Sequence, residues 1–293
     1  MILFSFSWFL FCAVINNSSP VYSIPQESQP CRLRVMTFNI RYNHPADSIY
    51  AWDYRKQMVY NVISREDPDV IGMQEALAGQ VKDLKQNLPA YDWIGIGRDD
   101  GKKAGEFTPI FYKSGKFQKI REETTWLSET PDIPGSVSWN AACTRILSWI
   151  ELQEKTTGQH FFVFNTHFDH VSKAARMHSA ELLLNLIHQV ADTCPVIVTG
   201  DFNLTPHEET YKVLSGELIN PLRDFLISDS VGTFIGFPAK FSPGNIVDYI
   251  FIRPSPRILV EDYRIVGYHE GIRYPSDHLP VVSEIILKEY TSK

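Results

Sequence analysis

Short apolar runs alternate with amphipathic stretches from about residue 31 to residue 288. Arg34-Val35-Met36-Thr37-Phe38 reads as a strand running into a turn at Asn39. Residues 54–66 place Met58, Val59, Val62 and Ile63 on one helical face. Residues 70–73 form a second strand that ends at Gln74-Glu75, and 109–112, 146–152 and 161–165 read as further strands. The longest predicted helix spans 173–191, with Leu182, Leu183, Leu186, Ile187 and Val190 turned inward. A strand over 196–198 breaks at Gly200. Thr205-Pro206, followed by Glu208 and Glu209, predicts a helix start with proline at the first helical position. Residues 247–252 and 279–286 complete the strands. No repeat, low-complexity tract or linker interrupts the pattern, so residues 31–288 form one layered α/β domain.

The first residues differ. Residues 2–15 are almost continuously apolar, and no charged residue or histidine occurs before Glu27. That run is short for a bilayer span and precedes the small-residue context Val21-Tyr22-Ser23. A signal peptide over residues 1–23 is the expectation, with a secreted or periplasmic product that keeps no membrane insertion. Cys12 leaves with it; Cys31, Cys143 and Cys194 remain, without metal-type spacing, as one disulfide and a thiol or as three free thiols.

Composition is that of a globular protein, with 44% hydrophobic and 21% charged residues. The formal net charge of -6 removes the basic field that holds long nucleic acids non-specifically, while leaving a local nucleotide or oligonucleotide site open. The informative feature is the placement of polar residues. Asn39, Glu75, Asp201, Asn203, Asp248, Asp277 and His278 each fall at the end of an apolar strand or just beyond one. One aspartate after a strand is a turn former, but so many strand ends in one chain point to a rigidly held site.

These residues lie in Thr37-Phe38-Asn39-Ile40-Arg41, Gln74-Glu75, Gly200-Asp201-Phe202-Asn203, Asp248-Tyr249-Ile250 and Ser276-Asp277-His278-Leu279-Pro280, and Asn165-Thr166-His167 falls between the second and third of these. In that order they resemble the endonuclease/exonuclease/phosphatase superfamily, with features of its deoxyribonuclease and deadenylase branches. The resemblance implies a four-layer sandwich, in which two packed mixed β-sheets are flanked by helices. It also implies a metal-dependent hydrolase of phosphate esters. Glu75, with an amide from Asn39, offers hard oxygen ligands suited to Mg²⁺ or Mn²⁺, and Asp277 ligates the metal or orders its waters. The family pattern makes Asp201 the acceptor of a proton from the attacking water. It gives Asn203 a hydrogen bond to the phosphate or the water, and His278 a contact to a phosphate oxygen with Asp248 holding its ring. By the same resemblance Glu106 pairs with His167, and Arg145 binds phosphate through its fork. His44, His170 and Arg176 are supporting candidates. Trp139, in a proline-rich loop before Arg145, is a packing residue with base stacking as the alternative.

The resulting expectation is a monomeric, exported phosphodiesterase of nuclease type acting on short or single-stranded oligonucleotide ends. The alternatives are a hydrolase of sugar, inositol or lipid head-group phosphates, and a non-catalytic binding protein on the same fold. Asn203-Leu204-Thr205 is also an N-glycosylation sequon, which a catalytic Asn203 must leave unmodified. Peptide mass mapping of the exported chain is expected to find an N-terminus near residue 24 and a bare Asn203; a glycan there removes Asn203 from the site.

Overall fold

The computed structural model describes residues 30–222, 232–242 and 245–288, so the expected signal peptide lies outside the described residues. Two sheets stack face to face. The first has the order β10-β11-β1-β2-β4-β3, from β1 (Cys31–Asn39), β2 (Val70–Gln74), β3 (Tyr91–Ile94), β4 (Ile110–Lys113), β10 (Ile258–Ile265) and β11 (Val281–Leu287). The second has the order β5-β6-β7-β8-β9, from β5 (Phe117–Trp126), β6 (Ile146–Glu154), β7 (His160–His167), β8 (Val196–Asp201) and β9 (Asp248–Ile252). β1 pairs with β2 in parallel, as does β7 with β8; the remaining pairs are antiparallel. Helices α1 (Trp52–Glu66) and α3 (Lys173–Ala191) make the crossovers that these two parallel pairs require. Helices α2 (Ala78–Asn87) and α4 (Glu209–Glu217) follow β2 and β8. The arrangement is the expected two-sheet sandwich of mixed strands flanked by helices.

Strand alternation explains the layering. Leu33, Val35, Val70 and Ile110 face the core shared by the two sheets. Met36, Phe38, Ile71, Met73 and Phe111 face the other way, onto Trp52, Val59, Val62 and Ile63 of α1 and Val81 and Leu84 of α2. On the far side, Ala180, Leu183, Leu184 and Ile187 of α3 cover the second sheet. Three strands escape the sequence reading. β3 is four residues long, while β5 and β10 are edge strands with largely exposed or half-exposed side chains. Such edges carry charge instead of an apolar run. Helix α2 is missed as well. The helix expected from Pro206 begins instead at Glu209, because Thr205 and Glu208 close a turn on each other: Glu208 N donates to Thr205 O at 3.1 Å, and Thr205 N to Glu208 Oε1 at 3.3 Å.

The sheets also meet through polar groups. Gln74 Nε2 donates to Asn165 Oδ1 at 2.7 Å and to Thr37 Oγ1 at 3.1 Å; Asn165 Nδ2 donates to the carbonyls of Met73 at 2.7 Å and Pro109 at 3.1 Å. Thr199 Oγ1 completes the set on Asn165 Oδ1 at 3.1 Å. Gly72 lets the backbones come this close, since a Cβ there would lie 2.0 Å from Thr199 Oγ1 and 2.6 Å from Asn165 Oδ1. Gly72→Ala is therefore expected to destabilise by about 1–3 kcal/mol as an overpacked core does. An unchanged melting temperature would show that the sheets part without cost.

Candidate active site

Parallel pairing brings the carboxyl ends of β1, β2, β7 and β8 to one edge of the sandwich, and the antiparallel β9 and β11 start there. Asn39 closes β1, Glu75 follows β2, His167 closes β7 and Asp201 closes β8. Asp248 opens β9 opposite Asp201, and Asp277-His278 lie just before β11. The fold thus gathers residues far apart in sequence into one cleft of about 570 Å³. Its lining includes Glu75, Glu106, Arg145, His167, Asp201, Asn203, Asp277 and His278, with Arg41, Tyr42, Arg98, His170 and Phe234 beside them. Asn39 and Asp248 stand behind this lining, both buried.

The two imidazoles are in opposite states. His278 Nδ1 lies 2.9 Å from Asp248 Oδ2, and its Nε2 lies 3.7 Å from Asp201 Oδ2. Burial alone lowers its pKa, but Asp248, Asp201 and Asp277 together hold it well above the ordinary histidine range, which favours the protonated ring; Asn39 Nδ2 lies 3.4 Å from its Nε2. His167 is pushed well below that range by burial and by Arg145 and Arg98, so it is neutral. Its Nε2 is 3.4 Å from Asp201 Oδ2 and its Nδ1 has no partner. Burial, reinforced by Asp248, raises the Asp201 carboxyl to about 7, against the pull of His278 and Asn39. A carboxyl titrating there is matched to accepting a proton at neutral pH.

Asn39 does not present its oxygen to the cleft. Oδ1 takes the Arg41 backbone N–H at 3.0 Å, which turns Nδ2 toward Glu75 Oε1 at 3.0 Å and Asp201 Oδ2 at 2.9 Å. In this arrangement Asn39 aims two carboxylates, and the oxygen donors available to a cation are Glu75 and Asp277. Both face the Arg41 guanidinium at 3.8 and 3.9 Å, while Arg41 itself is hydrogen-bonded to Asp47. Burial raises the Asp277 carboxyl, opposed by His278. An all-oxygen pair sharing one distant cation fits Mg²⁺ or Mn²⁺, which take carboxylates and keep waters. Ligand atoms of Asp201, Asp248 and His278 also lie within reach of one ion, with His278 Nδ1 2.9 Å from Asp248 Oδ2.

The expected Glu106–His167 pair is open. Glu106 Oε2 lies 3.9 Å from His167 Nδ1, beyond hydrogen-bond distance, because Arg98 Nη1 takes that oxygen at 2.7 Å. Arg98 is the functional residue the sequence reading misses, since Arg98-Asp99-Asp100-Gly101-Lys102-Lys103 reads as a solvated turn. The chain instead folds back through Gly101 and Gly105, both at positive φ, and Arg98 N donates to Glu106 O at 3.0 Å. Two such glycines ahead of Glu106 are the signal for that return. Arg145 is 5% exposed; Nη2 contacts His170 Nδ1 at 3.0 Å and Nε lies 4.0 Å from Asp169 Oδ2, while Nε and Nη1 have no hydrogen-bond partner among the described residues. Buried unpaired guanidinium nitrogens mark a place for an anion. Asn203 sits in the cleft with φ 50°, its Nδ2 on Phe168 O at 3.0 Å.

Of the supporting candidates, only His170 reaches the cleft. Arg176 is buried against Asp169 O and Glu208, and His44 caps the one-turn helix Pro45–Tyr50 through Ala46 N. Trp139 stacks on His178 at 4.9 Å between centroids, outside the cleft. Cys31, Cys143 and Cys194 are all free thiols; burial pushes Cys31 up to about 12.

The model of the Endonuclease/Exonuclease/phosphatase family matches residues 36–278, from the middle of β1 to His278. The chain belongs to this family. It is accordingly a phosphoester hydrolase, of a family whose enzymes are typically divalent-metal dependent. A solved family protein from Bacteroides vulgatus is 37% identical, with a TM-score of 0.81, covering 88% of this chain and 100% of that one. Bacteroides thetaiotaomicron mannosyl-6-phosphatase is 35% identical, with a TM-score of 0.78, covering 86% and 99%. The Ccr4 3'-5'-exoribonuclease subunit of Mycosarcoma maydis is 22% identical over 84% of this chain, which spans about half of that relative's length (48%).

Asp201→Asn is expected to lower kcat by about 100- to 10,000-fold, the range for losing a general base. Above pH 7 the folded protein holds an ionised Asp201 that burial disfavours, so a neutral amide relieves that penalty. The variant's melting temperature at pH 8 is then equal to wild type or higher. A variant keeping over half the wild-type rate would remove Asp201 from the chemistry.

Proposed function

We propose that this family member hydrolyses phosphate monoesters carried on a sugar, with a divalent cation held by Glu75 and Asp277. The observation that carries the reading is Arg145. Its Nε, 4.0 Å from Asp169 Oδ2, and its Nη1 are buried and make no hydrogen bond among the described residues; next to Arg98 and His170 in the same cleft they form a donor-rich end suited to a dianionic terminal phosphate. The 35% identity to a mannosyl-6-phosphatase across most of both chains supports it, as does the acidic net charge of -6, which suits a small substrate better than a polyanion.

In this reading Asp201 accepts the proton of a water that adds to phosphorus as the ester P–O bond breaks. His278, whose protonated form its acidic neighbours favour, donates from Nε2 to a phosphate oxygen or to the departing sugar oxygen. Asp248 keeps its ring oriented. His167 stays neutral beside Asp201, and Arg145 with Asn203 fixes the non-bridging oxygens. The cation supplies positive charge to those oxygens when bound. Export belongs to the same proposal and rests on the apolar run over residues 2–15.

A 3'-5' exoribonuclease is the second reading. The aromatic faces of Tyr42 and Phe234 at the cleft favour it, because they offer stacking surfaces for a base. The Ccr4 relative's name supports it too. A hydrolysis screen with Mg²⁺ or Mn²⁺ decides between them, using hexose phosphates, p-nitrophenyl phosphate, bis-p-nitrophenyl phosphate, short RNA and sphingomyelin. The expected result is release of inorganic phosphate from the hexose phosphates, abolished by EDTA and by Asp201→Asn. Turnover confined to RNA and the diester would replace this reading with the nuclease; turnover that survives EDTA would remove the cation.

A further inference from the structure

Arg55 of α1 is 2% exposed and meets no carboxylate. Its fork is spent on main-chain carbonyls. Nε donates to Tyr50 O at 2.8 Å, Nη1 to Pro275 O at 3.0 Å and to Ile40 O, and Nη2 to the carbonyls of Arg41 and Tyr42. A buried guanidinium is ordinarily paired with an acid, because an uncompensated charge is expensive away from water. Here three consecutive carbonyls after β1, and one two residues ahead of Asp277, take that place. Burial lowers the pKa to about 10, so the group remains a cation at neutral pH. Asp277, Asp47 and Glu75 are the acidic charges that act on it, and Arg41 opposes them.

The segments it joins are those that carry the cleft carboxylates. Tyr42 N donates to Glu75 Oε2 at 3.2 Å, so the 40–42 backbone holds Glu75 as well as its own residues. Ser276 Oγ donates to Asn39 O at 2.7 Å, a second link across the same gap. The Arg55 guanidinium, together with the Ser276 link, therefore ties the segment that holds Glu75 to the one that carries Asp277. We propose that Arg55 is a positioning residue for the cation site, fixing the spacing of the 40–42 and 275–278 segments and thereby the affinity of Glu75 and Asp277 for a divalent cation. The inference rests on reading those two carboxylates as the cation-holding pair. A lysine at this position keeps the charge but is a single point with three donors, and cannot reproduce the planar fork that reaches five carbonyls.

The test is calorimetric titration of the full protein with Mn²⁺ alone, without substrate, alongside thermal melting. Arg55→Lys is expected to weaken Mn²⁺ binding by about 10- to 100-fold, the effect of removing groups that orient metal ligands. Val62→Ala, in the same helix and in the core, is the control: it lowers the melting temperature and leaves Mn²⁺ affinity as in wild type. Wild-type affinity in Arg55→Lys would overturn the proposal. So would weakening shared equally by Val62→Ala, or failure of Arg55→Lys to fold, since each assigns Arg55 to the fold alone. Wild-type protein that takes up no Mn²⁺ would instead overturn the cation site itself, and this inference with it.

Discussion

The cleft depends on a polar contact between the sheets. Side chains from two sheets that meet only through hydrocarbon can slide; Gln74, Asn165, Thr37 and Thr199 cannot, because each displaced donor would be left unpaired in a dry interior. The network lies one or two residues below the functional ends of the strands. Gln74 precedes Glu75, Asn165 is two residues before His167, and Thr199 is two before Asp201. Locking these positions against one another fixes the relation between Glu75 of the first sheet and Asp201 and His167 of the second.

Electrostatics then divides the labour. Buried acids and two buried imidazoles share the cleft, and they do not all carry the same charge state. Asp248 is placed to keep His278 protonated, while two guanidiniums and burial keep His167 neutral. Identical side chains thus acquire different proton-handling roles from their neighbours, which is how one site holds both an acceptor and a donor at neutral pH.

Much of this is legible in the chain. Strands that run through the interior announce themselves as apolar runs, and the polar residues at their ends stand out against them, so the amino-acid order alone picks out Asn39, Glu75, Asp201, Asn203, Asp248, Asp277 and His278, while His167 comes with the family resemblance. What stays hidden follows from long-range geometry. Glu106 and His167 each look available, but only folding shows that Arg98 reaches the carboxylate first. The amide of Asn39 has two faces, and its orientation is set by the Arg41 backbone N–H. Edge strands β5 and β10 lack a buried face on both sides and therefore lack the pattern that reveals β1 or β8.

Three residues at the cleft, Arg41, Glu75 and Asn203, hold left-handed backbone angles, with φ of 55°, 63° and 50°. Such conformations are costly for side chains with a Cβ and free for glycine. Local stability and chemistry therefore pull in opposite directions at the same positions. A glycine at Glu75 would relax the backbone while deleting a carboxylate. Drift toward a folded but inert descendant is thus locally downhill, and an active lineage persists only where selection acts on turnover as well as on folding.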